Sequence, residues 1–427
     1  MQTLLENALI LLPDVPCRFE RRHILIENNK ISKISKSKII QKGAEKTDCS
    51  KKIIIPGLFN THTHAPMTLL RAHGDDLPLH DWLSKEMWPK EKKLSPRDIY
   101  VGSLLAIAQM FRSGTTCFND HYFHISSISK AAKKANIRCT LGYSMIDLGD
   151  FEGKGRSELK QARKDVKEIS EDKSGLLSPS INPHAPNTCS KELLEESANL
   201  ANEFNCPIHT HVSETKSELE FVKRKYGQTP IELLSKCNCL SKKSILAHAI
   251  YCTPKDISII KSSGASVVHC PVANMKLASG SQAPIPDYLN SKINVALGTD
   301  GPASNNSLNM FETAKMAALI QKNAKENASA AKADDYLNML NQGGAKALGI
   351  NAGKIEEGYL ADLAFLDATS PDLIPFSNSA GWLLYSANPQ NVCDLMVNGK
   401  FVMKNQEILT FNQEEIMKKA QKIADKL

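Results

Sequence analysis

The sequence has few aromatic residues and no long apolar run. Phe, Trp and Tyr make up 6% of the 427 residues, and no stretch approaches the roughly 18 apolar residues of a membrane span. We therefore expect no contact with a membrane. The formal net charge of +7 comes from Lys and Arg scattered among acids. Because no aromatic residues interleave with these charges, we expect a solvated surface and no nucleic-acid partner.

Paired cysteines are also missing. The eleven cysteines follow no repeated spacing, and the close pair Cys237 and Cys239 is not a CxxC motif. An odd number of scattered cysteines indicates free thiols rather than a disulfide framework. The first residues lack a basic segment, and the apolar run that starts at Ala8 stops at Pro13. We therefore expect no signal peptide and a cytoplasmic protein.

What the sequence does contain is an alternation of short apolar strands and amphipathic helices over residues 53–350. Ser95 and Thr253 each precede a proline and are followed three positions later by an acid, and Ser190 is placed to cap a helix over 191–202. Strands that alternate with helices build parallel β/α units, and eight such units closed on themselves make a TIM barrel. The eight predicted strands are 53–59, 115–119, 138–146, 177–182, 206–211, 244–249, 266–270 and 294–299.

Both ends of the chain carry β-hairpin signals instead. Apolar positions alternate over 22–36, and Asn398-Gly399 between two apolar runs is typical of a type I′ turn. Residues 360–367 add another strand. We therefore expect an α/β protein in which a (β/α)8 barrel is joined by a small β-sandwich built from both termini. The predicted bounds are 1–55 and 353–427 for the two parts of the sandwich and 56–352 for the barrel.

Four histidines and one aspartate stand at the ends of predicted strands. Residues two apart on a strand share a face, so His62 and His64 are able to point at one ion. His211, His248 and Asp300 end three further strands, and the carboxyl ends of barrel strands meet at one mouth. Imidazole and carboxylate groups are common ligands of divalent metals. The set predicts a metallohydrolase.

Other candidate site residues lie near the same strand ends. Glu214 follows His211 by three positions, where a carboxylate is able to shuttle protons at a metal site. The alternative is a surface glutamate that opens a helix, where the helix dipole favours an acid. His184 ends the fourth predicted strand and is a candidate substrate contact. Trp82 either walls the pocket or packs within an ordinary helix, and the loop histidine His121 has no assigned role.

Four segments carry a resemblance to a known family: 56–71, 211–214, 268–276 and 298–306. They resemble the amidohydrolase superfamily, and most of all its 5-methylthioadenosine/S-adenosylhomocysteine deaminases. That resemblance implies a barrel with a composite β-sandwich and one bound divalent metal, usually zinc, with Fe2+ as the alternative. The metal ligands would be His62, His64, His211 and Asp300.

The resemblance also implies roles in substrate binding. Glu91 would bind the ribose hydroxyls, and His184 would be a further contact to the substrate. Ser144 stands where the family often carries an arginine for the amino-acid end of S-adenosylhomocysteine, and Arg156 would match a second such arginine. The missing arginine favours the methylthio substrate over the homocysteine one.

The implied reaction is hydrolytic deamination at adenine C6 of 5′-modified adenosines, which releases ammonia and an inosine-type product. The candidates are 5′-methylthioadenosine and S-adenosylhomocysteine, with adenosine as a further one. Asp300 would accept a proton from water, Glu214 would protonate purine N1, and His248 would stabilise the developing charge. The H-x-E…P-C-x-x-C signature of the cytidine deaminases is absent.

Two alternatives remain. The first is another reaction on the same scaffold: deamination of 5′-deoxyadenosine, guanine or aminofutalosine, or dechlorination of an azine ring. The second is a catalytically inactive scaffolding relative, which the full set of ligands disfavours. The expected partner is a small-molecule nucleoside, and a homo-oligomer stays open.

Overall fold

The computed structural model describes residues 2–13, 16–280, 282–330 and 332–427. In these ranges the chain forms a barrel of parallel strands surrounded by helices, together with a sheet of nine strands that come from both ends of the chain. The predicted α/β barrel with a second β-domain is confirmed. Among the same residues, no helix combines the length and the apolar character that crossing a bilayer demands.

The strands follow the predicted alternation with helices. In chain order they are β1 (Gln2–Leu11), β2 (Phe19–Glu27), β3 (Lys30–Ser35), β4 (Glu45–Asp48), β5 (Lys52–Pro56), β6 (Leu58–Thr63), β7 (Thr115–Tyr122), β8 (Arg138–Met145), β9 (Leu177–Pro179), β10 (Asn182–Pro183), β11 (His209–Val212), β12 (Ile245–His248), β13 (Ser266–His269), β14 (Asn294–Leu297), β15 (Leu363–Asp367), β16 (Val392–Val397), β17 (Lys400–Lys404) and β18 (Glu407–Ile408).

The helices lie between the barrel strands and at the carboxyl end of the chain. They are α1 (Leu79–Asp81), α2 (Trp88–Glu91), α3 (Pro96–Arg112), α4 (Ile125–Ala135), α5 (Gly155–Ser170), α6 (Lys191–Glu203), α7 (Lys216–Tyr226), α8 (Pro230–Lys236), α9 (Pro254–Ser263), α10 (Pro271–Lys276), α11 (Ile285–Asn290), α12 (Met310–Ala324), α13 (Ala333–Asn338), α14 (Gly344–Leu348), α15 (Ala380–Ser386) and α16 (Gln413–Ala424), with short 3₁₀ or π-helical turns at Ala65–Leu70, Trp82–Met87, Gly149–Phe151, Met339–Gly343, Pro371–Leu373 and Pro389–Asn391.

The predicted helix starts form as the cap residues require. The side chain of Ser95 accepts a hydrogen bond from the N–H of Asp98, and the Asp98 carboxylate accepts one from the N–H of Ser95. Thr253 and Asp256 form the same capping box at the start of α9. These pairs satisfy N–H groups that the first turn of a helix leaves without a partner. Ser190 caps α6 in a simpler way, by accepting from the N–H of Leu193.

The barrel strands form two parallel runs that meet at both edges. One run is β6, β7, β8 and β10, with β9 also paired to β8, and the other is β11 to β14. A bridge between Ile181 and Ile208 joins the runs at one edge. At the other edge the side chain of Asn60 donates to Thr299 Oγ1 at 2.7 Å and accepts from the N–H of Thr299 at 3.0 Å. These contacts close the cylinder, so all its strand ends surround one mouth.

The prediction that residues 53–59 form a single strand is wrong. The segment divides into β5, which pairs with β1 and β15 of the terminal sheet, and β6, which opens the barrel. The break falls at Gly57, where a Cβ would lie 2.1 Å from Thr116 Oγ1. Because both β5 and β6 are buried, their residues form one apolar run in the sequence that does not mark the break. The domain bounds at 55 and 352 stay a prediction.

The terminal sheet brings the two ends of the chain together. Its order is β18-β17-β16-β15-β5-β1-β2-β3, with β4 paired to β1, so β5 lies between a strand from each end. Its own apolar core includes Ile24, Ile54 and Phe365. The predicted type I′ turn is confirmed, because Asn398 and Gly399 have φ values of 54° and 73° between β16 and β17.

A buried arginine joins this sheet to the barrel. Arg138, the first residue of β8, donates from Nη2 to Asp362 Oδ1 at 3.3 Å and to Asn398 Oδ1 at 2.9 Å, and from Nη1 to the carbonyl of Gly175 at 2.6 Å. Both members of the Arg138–Asp362 pair are buried. A buried charge of this kind needs its partners, because isolated ions are costly to desolvate.

Candidate active site

The strand ends at the mouth turn through left-handed backbone conformations. Ser213 has φ 51°, His248 has φ 71° and Asp300 has φ 63°. Such values are uncommon for residues other than glycine and mark places where the surrounding structure imposes a turn. The N–H of Asp300 donates to the carbonyl of His62 at 3.0 Å, which fixes the turn after β14 against β6.

The four predicted metal ligands lie together at this mouth. One potential ligand atom from each of His62, His64, His211 and Asp300 lies within 4.8 Å of all the others. Nε2 of His62 and Nε2 of His64 are each 3.2 Å from Asp300 Oδ1. Three imidazole nitrogens and one carboxylate oxygen suit a divalent ion such as zinc. The donor set therefore fits one divalent metal.

Hydrogen bonds at the other ring nitrogens orient the histidines. Nδ1 of His64 donates to the carbonyl of His121 at 2.5 Å, and Nδ1 of His211 donates to the carbonyl of His184 at 2.7 Å. With the proton on Nδ1, each ring presents an Nε2 lone pair to the metal position. Nδ1 of His62 lies 2.8 Å from Nε2 of His209, which is buried one layer deeper in the barrel.

Burial and the Asp300 charge set the protonation of this cluster. Burial lowers the pKa of His62 to about 4 and the pKa of His211 well below its ordinary value. Both rings are therefore neutral near pH 7, as metal ligands must be. Burial also opposes the charged form of His64, but the Asp300 carboxylate outweighs it and raises the pKa of His64 to about 9. Metal binding would displace this proton.

A cavity of about 120 Å³ opens onto the ligand cluster. Most of the predicted catalytic and substrate-binding residues line it. These are Glu91, Glu214, His248, Asp300, His184 and Trp82, and Ser144 lines it as well.

Arg156 is not brought to the cavity. It is the second residue of α5 and is exposed. The face of α5 that packs onto the barrel carries Ala162, Val166 and Ile169, and helical periodicity places Arg156 off that face. The predicted contact between Arg156 and the amino-acid end of a substrate has no support in this geometry.

Glu214 and His248 form a close pair beside the metal position. Oε2 of Glu214 and Nε2 of His248 lie 3.8 Å apart. Burial, together with the charge of Asp300, raises the pKa of Glu214 to about 8. The carboxyl group therefore holds a proton at neutral pH. Nδ2 of Asn274 donates to Nδ1 of His248 at 2.9 Å, which leaves the ring proton of neutral His248 on Nε2, facing Glu214.

The remaining predicted residues of the cavity lining are polar or aromatic. Glu91 ends α2, and burial raises the pKa of its carboxyl group above its ordinary value. Nδ1 of His184 lies 2.8 Å from the hydroxyl of Thr188. Trp82 is buried, and its Nε1–H donates to the carbonyl of His73 at 3.1 Å. These residues offer hydrogen-bonding groups together with a flat apolar surface.

A second cavity of about 550 Å³ adjoins the first. The two share Trp88, Glu91, Tyr122, Phe123 and Ile146 as lining residues. The ring of Phe151 faces the second cavity, with Nζ of Lys154 4.7 Å from its centroid. The site therefore has space for parts of a ligand that extend beyond the cavity at the metal position.

His121 and Glu218 belong to the site although neither had a predicted role. His121 was expected in a loop, but it lies on β7 and is buried, and its carbonyl orients His64. Glu218 is buried on α7 and accepts hydrogen bonds from the N–H groups of Ser213 and Glu214. No local sequence signal distinguishes Glu218 from an ordinary acid in the first turn of a helix.

Comparison with known proteins places the fold and the site in a family. The model of the amidohydrolase family matches residues 53–402. The chain belongs to this family. The expected membership is confirmed, and the match covers the barrel together with β15 and β16 of the terminal sheet.

Relatives of this amidohydrolase are similar over its whole length. It is 45% identical over 417 residues to the 5′-deoxyadenosine deaminase of Methanocaldococcus jannaschii, covering 97% of this chain and 99% of the relative. It is 41% identical over 423 residues to the 5-methylthioadenosine/S-adenosylhomocysteine deaminase of Pyrococcus furiosus, covering 99% and 100%. The crystal structure of a zinc-bound adenosine deaminase from Xanthomonas campestris superposes with a TM-score of 0.93 at 31% identity, covering 99% of this chain and 98% of that one.

Proposed function

We propose that this amidohydrolase is a metal-dependent deaminase of adenine nucleosides that are modified at the 5′ position. The observation that carries the proposal is the position of Glu214. A carboxyl group that is protonated at neutral pH lies in the same cavity as the cluster of metal ligands. A general acid beside a metal site is what hydrolytic removal of an amino group from an aromatic ring requires. The names of the relatives support the same reaction class.

The proposed metal ligands are His62, His64, His211 and Asp300. A divalent metal held there would supply an activated water, because metal binding lowers the pKa of water from about 15.7 to about 7. We propose zinc as the metal, supported by the bound zinc of the Xanthomonas campestris structure, with Fe2+ as the alternative.

Three side chains would carry the proton transfers and the charge. Glu214 donates its proton to purine N1, which weakens the aromatic resistance of the ring to attack at C6. Asp300 accepts the proton of the attacking water through one carboxylate oxygen, while Ser304 donates to Oδ2 at 2.7 Å and holds the group in place. His248 donates from Nε2 to the oxygen that becomes negative at C6. The proton that Asp300 has taken then passes to the amino group, and ammonia leaves. The C6 hydroxyl group returns its proton to Glu214 as the carbonyl forms, which restores both carboxyl groups.

Polar residues that line the cavity would bind the sugar. Glu91 accepts hydrogen bonds from the ribose hydroxyls, and His184 is a second polar contact. Trp82 excludes water from one side of the cavity. A ribose-binding carboxylate favours a nucleoside over a free base such as guanine.

The specificity of the enzyme depends further on the 5′ substituent of the nucleoside. We propose a small neutral group, as in 5′-methylthioadenosine or 5′-deoxyadenosine, as the preferred substituent. Ser144 offers no positive charge for an amino-acid carboxylate, and Arg156 lies outside the cavity. S-adenosylhomocysteine stays a candidate, because the adjoining cavity has room for a long tail.

A screen for ammonia release tests the proposal. The metal-loaded enzyme is given adenosine, 5′-deoxyadenosine, 5′-methylthioadenosine, S-adenosylhomocysteine and guanine in separate reactions. We expect the two nucleosides with small 5′ groups to give the highest kcat/KM, and guanine to give no ammonia. A preference for guanine, or no ammonia from any adenine nucleoside, would overturn the proposal.

A further inference from the structure

We infer that Glu218 is a positioning residue that holds the backbone of Glu214 at the active site. The inference rests on the proposed function, because it assigns Glu218 an effect on the proposed proton donor. Oε1 of Glu218 accepts from the N–H of Ser213 and Oε2 accepts from the N–H of Glu214, each at 2.8 Å. The two carboxylate oxygens therefore bind the backbone of Glu214, the proposed proton donor, and of Ser213, the residue before it.

These contacts differ from an ordinary helix cap. Thr215 is the N-cap of α7, and its hydroxyl accepts from the N–H of Glu218 at 3.1 Å. In a capping box the acid at this position reaches back to the N–H of the cap residue itself. Glu218 instead reaches the N–H groups one and two residues before the cap. Its carboxylate therefore fixes the segment that precedes the helix and not the helix end.

The backbone of Ser213 is also bound by the turn that follows β12. The carbonyl of Ser213 accepts hydrogen bonds from the N–H groups of Ile250 and Tyr251, each at 2.9 Å. Ser213 has φ 51°, a conformation that costs free energy for a residue with a side chain. Glu218 and the turn after β12 together hold this backbone in place, which brings Glu214 beside His248. Without the carboxylate, the segment would relax and Glu214 would lose its orientation.

Glu218 is suited to this role by its surroundings. Its side chain is buried, and both oxygens are occupied by backbone donors. It acts on the reaction through Glu214 and does not need to touch the substrate. Replacement by Gln keeps the size of the side chain but leaves one of the two N–H groups facing an amide NH2, which cannot accept a hydrogen bond.

The first test compares Glu218→Gln with Glu220→Gln in the zinc-loaded enzyme. Glu220 lies on the same helix, and its side chain is 65% exposed, so its replacement is the matched control. We expect Glu218→Gln to lower kcat by about 10²-fold, the order of loss that a small misplacement of a catalytic group causes. KM and bound zinc should stay at the wild-type level, and Glu220→Gln should match the wild type throughout. A wild-type kcat for Glu218→Gln would overturn the inference.

A double variant separates positioning from a general loss of structure. If Glu218 acts through Glu214, adding Glu218→Gln to Glu214→Gln should cost less than about threefold in kcat beyond the single Glu214→Gln. A merely structural role predicts that the two losses multiply, and that result would contradict the inference. Glu218→Asp is the conservative variant, since it keeps the carboxyl group with its two acceptor oxygens, and we expect its kcat to lie between those of the wild type and Glu218→Gln. A kcat of Glu218→Asp below that of Glu218→Gln would also count against the inference.

The outcome for the wild type distinguishes the two proposals. If the wild type releases ammonia from an adenine nucleoside while Glu218→Gln is fully active, only the positioning role fails. If the wild type releases no ammonia from any of the nucleosides, the proposed function itself fails.

Discussion

Nε2 of His248, the last residue of β12, lies 3.8 Å from Oε2 of Glu214, which follows β11. Asn274 holds the ring proton of His248 on the nitrogen that faces the cavity. The buried Glu214 carboxyl has a pKa raised to about 8. A donor of hydrogen bonds and a donor of protons therefore lie side by side at the metal position, which is the arrangement that attack on a protonated purine needs.

Replacing Glu214 by Gln should remove the proton donor and leave the metal ligands in place. We expect kcat to fall by about 10²- to 10⁴-fold, the range over which a positioned acid or base contributes, while bound zinc stays at the wild-type level. Steady-state ammonia release and metal analysis of the same preparation measure both quantities. An unchanged kcat would remove Glu214 from the mechanism.

The rate should depend on pH through the same carboxyl group. The pKa of Glu214 is about 8, above its ordinary value of 4.5, so the group is protonated below about pH 8 and loses its proton above it. We expect kcat/KM to decline as pH rises through the pKa of Glu214 in the metal-loaded enzyme, and the decline to be absent from the residual activity of Glu214→Gln. The profile is measured with one nucleoside at fixed ionic strength.

The free energy of unfolding of the metal-free chain should also depend on pH through Glu214. Between about pH 4.5 and 8 the folded metal-free chain keeps the proton of Glu214, whereas the unfolded chain has lost it. The contribution of this group to the free energy of unfolding therefore falls as pH rises through that window. The metal-free Glu214→Gln variant should lose less stability over the window than the wild type, and an equal loss would show that Glu214 is ionised in the fold.

Glu91 should affect the binding of the sugar more than the chemistry at C6. We expect Glu91→Gln to raise the KM for 5′-deoxyadenosine by about tenfold, which corresponds to one hydrogen bond to a charged group. The KM for the 2′,3′-dideoxy analogue should change little, because that substrate has no hydroxyl groups for Glu91 to bind. Equal changes in KM for the two substrates would contradict the proposed contact.

Arg138 should stabilise the junction between the barrel and the terminal sheet. Arg138→Ala leaves the buried carboxylate of Asp362 without its ion pair, so we expect a loss of about 3–5 kcal/mol in the free energy of unfolding. Arg163→Ala is the control, since Arg163 pairs with Glu203 at the surface, where a loss of about 0–1 kcal/mol is expected. Denaturant unfolding measures both, and equal losses would contradict the account of the junction.

Much of the site was predictable because two signals in the sequence mark its ligands: the residue type and the position at the end of a predicted strand. His62 and His64 have the spacing of one strand face, and His211 and Asp300 each follow an apolar run. In a closed barrel the strand ends share one mouth, so residue type and position are enough to bring these groups together. The fold was predictable for the same reason, from alternating strands and capped helices.

The remaining features depend on backbone geometry that no local pattern marks. Glu218 has its role because Ser213 adopts a left-handed turn without being a glycine. The break at Gly57 lies inside an apolar run, because both domains bury their half of it. Arg156 is the second residue of α5, and the direction of its side chain depends on where that helix begins, which no local pattern marks.

The most direct test of the central claim is a zinc titration of the metal-free enzyme, with ammonia release from 5′-methylthioadenosine or 5′-deoxyadenosine as the measurement. The wild type should gain activity linearly and level off at one equivalent of zinc. His64→Ala should bind no stoichiometric zinc and lose at least about 10³-fold in rate, because the metal supplies several kcal/mol. The control His80→Ala, at a side chain that is 91% exposed, should titrate like the wild type. Full activity without metal, or in His64→Ala, would contradict the account.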